Sequence, residues 1–210
     1  MNYFVVYRGG VCYDKNMEYI DKTFENKSMH EKRVREAEFT DCIFKNCKFE
    51  DTEFVACRFE GITFLSCRFV NVKFRHSLMF SAAFENCAFV NFSFASLVKC
   101  YGQVNPSLPF TRAEGCTFKY VPFVGFDMKK TNFRKSNFIG CDFNNSNVKN
   151  SDFSDCTFAD ASFSACNLEG CNFENAAGFD IDLNSCKLKN AQFSYAQAAR
   201  MLLSLGIRLI

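Results

Sequence analysis

The chain reads as an all-β protein: a solenoid of stacked square coils with a short helix at its C-terminal end. Three observations predict this. A large apolar residue recurs at every fifth position from Phe39 to Phe94, and again from Phe118 to Phe193 with Gly178 as the one gap. Two residues before each of these centres stands a partner, usually small. Across the 28 repeats, 12 and then 16, no centre and no partner is charged. A period of five matches neither a helix nor a strand and marks an internal repeat. The segregation of charge places two side chains per repeat in a dry interior and three in water. With a corner in each repeat, four repeats close one square coil of about 20 residues, and coils stack at the strand spacing of ~4.8 Å.

Residues 1–20 fall outside this rule. Tyr3 to Tyr7 and Val11 to Tyr13 flank Gly9 and Gly10 and read as two short strands around a turn. Phe24, Met29 and Val34 keep the phase of the first block, but Lys22, Lys27 and Lys32 hold their partner positions. An inward Lys is costly without a counter-ion. Residues 21–36 are therefore expected as an irregular cap or a poorly formed coil, and 1–36 together as the N-terminal cap.

Residues 37–193 form the β-helix. Its first part, to residue 95, supplies three coils. Residues 97–117 interrupt it with Gly102, Pro106, Pro109 and Gly115, and Phe94 to Phe118 spans 24 residues, one short of five repeats. Proline cannot donate to a ladder, so the break is either a projecting loop or one distorted coil. Loops on rigid scaffolds often carry binding residues; the candidates here are Gln103, Asn105, Ser107 and Phe110. Residues 117–193 supply four more coils.

Ser194 is placed to cap a helix through Ala196 and Leu205, with Gly206 as its stop and Ile207 to Ile210 as a short apolar strand. The tail is too apolar for a solvated extension. It caps the last coil, and an apolar helix with an exposed strand suits a two-fold contact. Residues 194–210 are expected to form a homodimer through Met201, Leu202, Leu205, Ile207 and Leu209.

Phe supplies 21 of the 28 centres, each worth roughly 2–3 kcal/mol of hydrophobic stabilisation when buried. Of the 13 Cys, all but Cys12 and Cys100 are partners, so Cys acts here as a small inward side chain. There is no Cys-x-x-Cys, and His30 and His76 accompany no Cys pair at zinc spacing. No metal and no cofactor are expected. Cys47, Cys67 and Cys87 stack one coil apart, within reach of disulfide geometry. The N-terminus shows no signal pattern and no apolar run approaches a membrane span, so reduced thiols and a cytoplasmic location are expected, with no membrane partner.

The net charge of +2 implies no partner by itself. Its distribution is more informative. Asp142, Asp152, Asp155, Asp160, Glu169, Glu174, Asp180 and Asp182 stand against Lys149 alone, whereas Arg112 to Lys135 holds six basic and two acidic residues. Short charge runs are also what the solvated faces of any rod carry. No phosphate loop and no dinucleotide fingerprint is present. Carboxylates on a convex rod have no burial to shift their pKa, and a regular rod offers no concave pocket. No catalytic residue is assigned, and the chain reads as a binding protein, not an enzyme.

The repeat itself (small residue, polar residue, Phe or Leu, two variable residues) closely resembles the pentapeptide-repeat family. The resemblance implies a right-handed quadrilateral β-helix. Ala177 to Leu183, Lys189 to Phe193 and Gln197 to Ile207 look like the C-terminal end of the subgroup that holds the Qnr quinolone-resistance proteins, the microcin immunity protein McbG and the albicidin-resistance protein AlbG. Those proteins act on DNA gyrase and often on topoisomerase IV. The single break, with Pro106 and Pro109, looks closer to McbG and AlbG than to the two loops typical of Qnr proteins. What the resemblance implies is a dimeric rod of duplex width with acidic outer faces. It would be a resistance or immunity protein that binds gyrase by DNA mimicry, without binding nucleic acid itself, and protects it from a topoisomerase poison. The eight acids of 142–182 are then the candidate enzyme contact, because dimerisation through the tail doubles them at the centre of the rod. The alternative is a structural or adaptor solenoid with an unrelated protein partner.

Overall fold

The structure, a computed structural model, describes residues 17–97 and 107–208. The backbone winds as a square tube whose successive edges stack into four faces of parallel strands. The first face stacks Met17–Ile20, Ala37–Thr40, Arg58–Glu60 and Leu78–Phe80. The second stacks Thr23–Glu25, Ile43–Lys45, Thr63–Leu65, Ala82–Glu85 and Phe110–Glu114. The third is continuous from Ser28–His30 to Thr157–Ala159, and the fourth holds Arg33–Arg35, Glu53–Val55 and Lys73–Arg75 and, further along, the separate pair Ser162–Phe163 and Asp180–Ile181. Partners along a face are 20 residues apart, as in Phe44 opposite Phe64 and Phe118 opposite Phe138.

The core follows from this register. Centres one coil apart stack ring on ring: Phe69 lies 5.0 Å from Phe89 at 4°, and Phe89 the same from Phe118. Centres on adjacent faces meet edge-on, as Phe64 and Phe69 do at 5.2 Å and 78°. Both are favoured aromatic arrangements. At the corners the third outward residue takes a left-handed conformation, with non-glycine φ from 48° to 61°. Asn and Asp tolerate this region best after Gly, and residues such as Asn46, Asn86, Asn145 and Asn150 occupy these corners.

The regular coils begin earlier than the sequence suggested. Residues 17–36, expected for the most part as an irregular cap, are strands paired in register with 37–55. Lys22 is exposed and Lys27 and Lys32 are half-buried, so none of the three charges is enclosed in the core. Their carbonyls still accept from Ile43, Lys48 and Glu53 N–H at 2.8 Å.

The described part of the break rejoins the coils at Ser107, which bridges to Asp127. Phe84 faces Ala113, 29 residues on, so the coil carries nine residues beyond the usual 20. Ala113 leaves a large centre vacant, and Phe110 fills it, packing edge-on against Phe84 at 5.2 Å. A second irregularity lies at Gly178 (φ 78°), where a Cβ would run into the Phe158 carbonyl. Phe179 packs against Phe173 and Phe193 beside it. Ile181 then stacks over Phe163 in the place expected for Leu183, which is only part-buried.

The C-terminal helix is Tyr195–Ser204. Ser194 and Gln197 form a reciprocal capping box. At the other end Gly206 (φ 78°) and Ile207 donate to Leu203 and Leu202 carbonyls, a Schellman closure. Gln197 Nε2 also donates to the Ala176 carbonyl, tying the helix to the last coils. Ile207 and Arg208 are not in a strand, so the short strand expected from Ile207 is not formed at its first two positions. Its last two, with Leu209, lie outside the described residues.

Candidate macromolecular interface

The outward residues of each repeat flank a centre or occupy a corner, so position in the sequence assigns each acid to a face. Asp152, Asp155 and Glu174 flank Phe153 and Phe173 on the second face. Asp142, Asp180 and Asp182 lie on the fourth face, opposite it, around Phe143 and Ile181. Asp160 is a corner residue after the third face, and Glu169 lies on the first. The eight acids therefore do not form one stripe. Six of them make two patches on opposite sides of the rod, while the first face carries Lys129, Lys149, Lys187 and Lys189 beside its centres.

Several of these carboxylates also have a task in the backbone. Asp142, Asp152 and Asp182 accept the N–H two residues on, at 2.8, 2.9 and 3.0 Å. Asn132, Asn147, Asn167 and Asn172 do the same at equivalent positions. These are Asx turns, which Asp and Asn form because their short side chains mimic a turn of backbone. Asp155 and Asp160 hold left-handed corners. The sequence signal for this role is the Asn or Asp before the centre, frequent after Asp127 and rare before it.

Among the described residues, only two of the eight acids have a cation within ion-pair distance: Asp152, 3.8 Å from Arg134, and Glu169, 2.7 Å from Lys149. The Lys149 hydrogen bond holds the Glu169 carboxyl below its ordinary range. That from the Ser185 hydroxyl does the same for Asp182. Six of the eight acids thus have no cation within ion-pair distance among the described residues.

The break candidates separate. Gln103 and Asn105 lie outside the described residues, and Ser107 is exposed. Phe110 is corrected to a core residue, 3% exposed, because it fills the space beside Ala113; no partner reaches it. On the helix, Leu202, Leu205 and Ile207 are exposed and Met201 is half-buried. Leu203, 55% exposed, and Tyr195, 95% exposed, extend the same apolar surface and were not among the expected dimer residues. No helix among the described residues is long and apolar enough to cross a membrane.

Four faces of parallel strands wound from five-residue edges, with charged residues outside, define a quadrilateral β-solenoid. The profile described as "Pentapeptide repeat region" matches residues 37–101 and 114–193, and the chain belongs to that family. No curated protein matches it. Among solved structures it is similar to a trypsin-treated variant of QnrB1, described as a plasmid-mediated fluoroquinolone resistance protein. That match has a TM-score of 0.65 and 18% identity, and covers 91% of this chain and 99% of that one. It is also similar to HetL, a pentapeptide repeat protein involved in heterocyst differentiation regulation from the cyanobacterium Nostoc sp. strain PCC 7120. Here the TM-score is 0.53 and the identity 14%, over 83% of this chain and 84% of that one. At these identities the likeness is one of fold.

Proposed function

We propose that this chain is a resistance or immunity protein that binds DNA gyrase, with topoisomerase IV as a second target, and protects it from a poison. The supporting observation is the uncompensated acid around the last coils, set next to an exposed apolar helix. A dimer formed through that helix doubles the acid at the centre of a rod, where it complements a positively charged DNA-binding surface and steers association. The protein would engage the enzyme, or the enzyme on DNA, and disfavour the trapped cleaved state. It would leave the drug unmodified. The similarity of fold to QnrB1 over nearly all of both chains is consistent with this.

The test is gyrase supercoiling in the presence of a quinolone, a microcin or albicidin, with and without the chain. Restored supercoiling against at least one poison, together with binding to gyrase on a native gel, is the expected result. No rescue and no complex would leave the second reading, an adaptor solenoid with an unrelated partner. The fold shared with HetL favours that reading, as does the division of the acids between opposite faces.

A further inference from the structure

Beyond the coil that ends at Phe193 the chain turns into the helix, so the partner positions of that coil have no further coil above them. Cys186 holds one of these positions, and it is the one described cysteine that is not buried. Cys166 lies one coil below it. Asn167 bridges to Lys187 in parallel register, and Lys187 N–H donates to the Cys166 carbonyl at 2.9 Å. The Cys166 N–H points at Cys186 Sγ, 3.4 Å away. Neighbouring strands at ~4.8 Å put the two Cα atoms within the separation that a disulfide spans. Both thiols are free in the structure.

Exposure, not spacing, sets this pair apart. Cys47, Cys67, Cys87 and Cys116 form a column of the same kind, with Cys67 N–H 3.4 Å from Cys87 Sγ, and all four are buried. Oxidants attack the thiols that solvent reaches. Cys166 is itself covered: its Sγ donates to the Phe143 carbonyl at 3.0 Å, and Ser146 Oγ donates to Sγ at 3.7 Å. Burial pushes its thiol up to about 11, and the Cys186 sulfur beside it adds to the rise. One thiol is thus open to attack, and its neighbour is held protonated next to it.

We propose that Cys186 and Cys166 are a peroxide-responsive pair, in which Cys186 takes the oxidation and Cys166 resolves it to a disulfide. The Cys186 thiolate attacks an oxygen of a hydroperoxide. The S–O bond forms, the O–O bond breaks, and the thiol proton leaves with the departing oxygen as water or an alcohol. The sulfur loses two electrons and the peroxide gains them. The Cys166 sulfur then attacks the Cys186 sulfur. The S–S bond forms, the S–O bond breaks, and hydroxide departs with the Cys166 proton as water. The bond closes the last coil into a covalent ring below the helix. In-register parallel strands hold the two Cβ atoms farther apart than a relaxed disulfide does, so thiol reductants reset the pair easily. None of this depends on the topoisomerase reading.

The test treats the full chain, carrying Cys12→Ser and Cys100→Ser, with hydrogen peroxide and maps the oxidised peptides. A second form adds Leu202→Glu and Leu205→Glu, so that no tail dimer covers Cys186. In that form at least, a Cys166–Cys186 disulfide should be the first to appear, and dithiothreitol should remove it. Cys166→Ser should stop the reaction at a Cys186 sulfenic acid that dimedone traps. Cys186→Ser should leave Cys166 unmodified. Serine already serves at a partner position at Ser146, so both variants should keep the wild-type circular dichroism spectrum. Three results would overturn the pair: no disulfide in either form, a first disulfide within the buried column or between two chains, or alkylation of Cys186 no faster than that of Cys47.

Discussion

At the scale of single residues, the partner position does two things at once. It must be small enough to face inward beside a phenylalanine, and it donates to the backbone of the coil below. Cys47 Sγ lies 3.3 Å from the Phe24 carbonyl, Ser151 Oγ 2.7 Å from Met128, and Cys171 Sγ 2.8 Å from Val148, always 23 residues back. Sequence pattern made Cys legible as a small apolar filler. The donor role was not legible, because it depends on which carbonyl the winding brings overhead. The same burial has a consequence for pH. It pushes the Cys141 thiol up to about 11 and the Cys156 and Cys171 thiols up to about 12. In the unfolded chain these groups ionise near ~8.5. The folded state therefore holds more protons between these values, and stability present below pH ~8.5 is lost as pH rises toward the folded pKa values. Each thiol contributes a slope of about 1.4 kcal/mol per pH unit. Urea midpoints should fall steadily from pH 8.5 to 11, and a variant with Cys141, Cys156 and Cys171 all changed to Ala should show a flatter decline. Wild-type midpoints that stay level to pH 11 would rule this out.

At the scale of elements, legibility followed locality. The helix ends were readable because Ser194 and Gly206 act within a turn of themselves. The N-terminal coil was hidden by Lys22, Lys27 and Lys32, which hold partner positions without being buried there. The end of the break was hidden because Phe110 and Ala113 exchange the usual sizes of partner and centre. Leu183 failed for a similar reason: Gly178 shortens the step, so Ile181 arrives over Phe163 first. The C-terminal helix leaves Leu202, Leu203 and Leu205 exposed in one chain, and the dimer proposed above would bury them. Leu202→Glu with Leu205→Glu should weaken self-association by at least about a hundredfold, since each lost Leu burial is worth roughly 2 kcal/mol. Sedimentation velocity should then show a monomer, with helix content unchanged because Ser194, Gln197 and Gly206 are intact and Leu205 caps through its backbone N–H. A double variant that sediments as the wild-type dimer would remove the helix from the interface.

At the scale of the whole molecule, winding converts a run of acids into a pattern around the rod. A linear stretch from 142 to 182 crosses all four faces twice, so its charge cannot stay on one side; the composition of each face decides where it concentrates. Acid gathers on the second and fourth faces, and the first is basic. An enzyme that grips the rod from both sides would meet acid twice, whereas one that docks on a single side would need only one patch. Glu174 and Asp180 separate these cases well, because both are exposed and neither caps a turn or holds a corner. Glu174→Lys and Asp180→Lys should each slow association with gyrase about tenfold at low salt, and the difference from wild type should shrink as salt rises. Lys187→Glu with Lys189→Glu, on the first face, should leave the rate unchanged or raise it. Stopped-flow or surface-based association rates across a salt series would measure this. Loss confined to one of the two acid variants would mean one-sided docking. Equal insensitivity of both would detach the acidic patches from the enzyme contact, and with them the duplex-like character proposed for the rod.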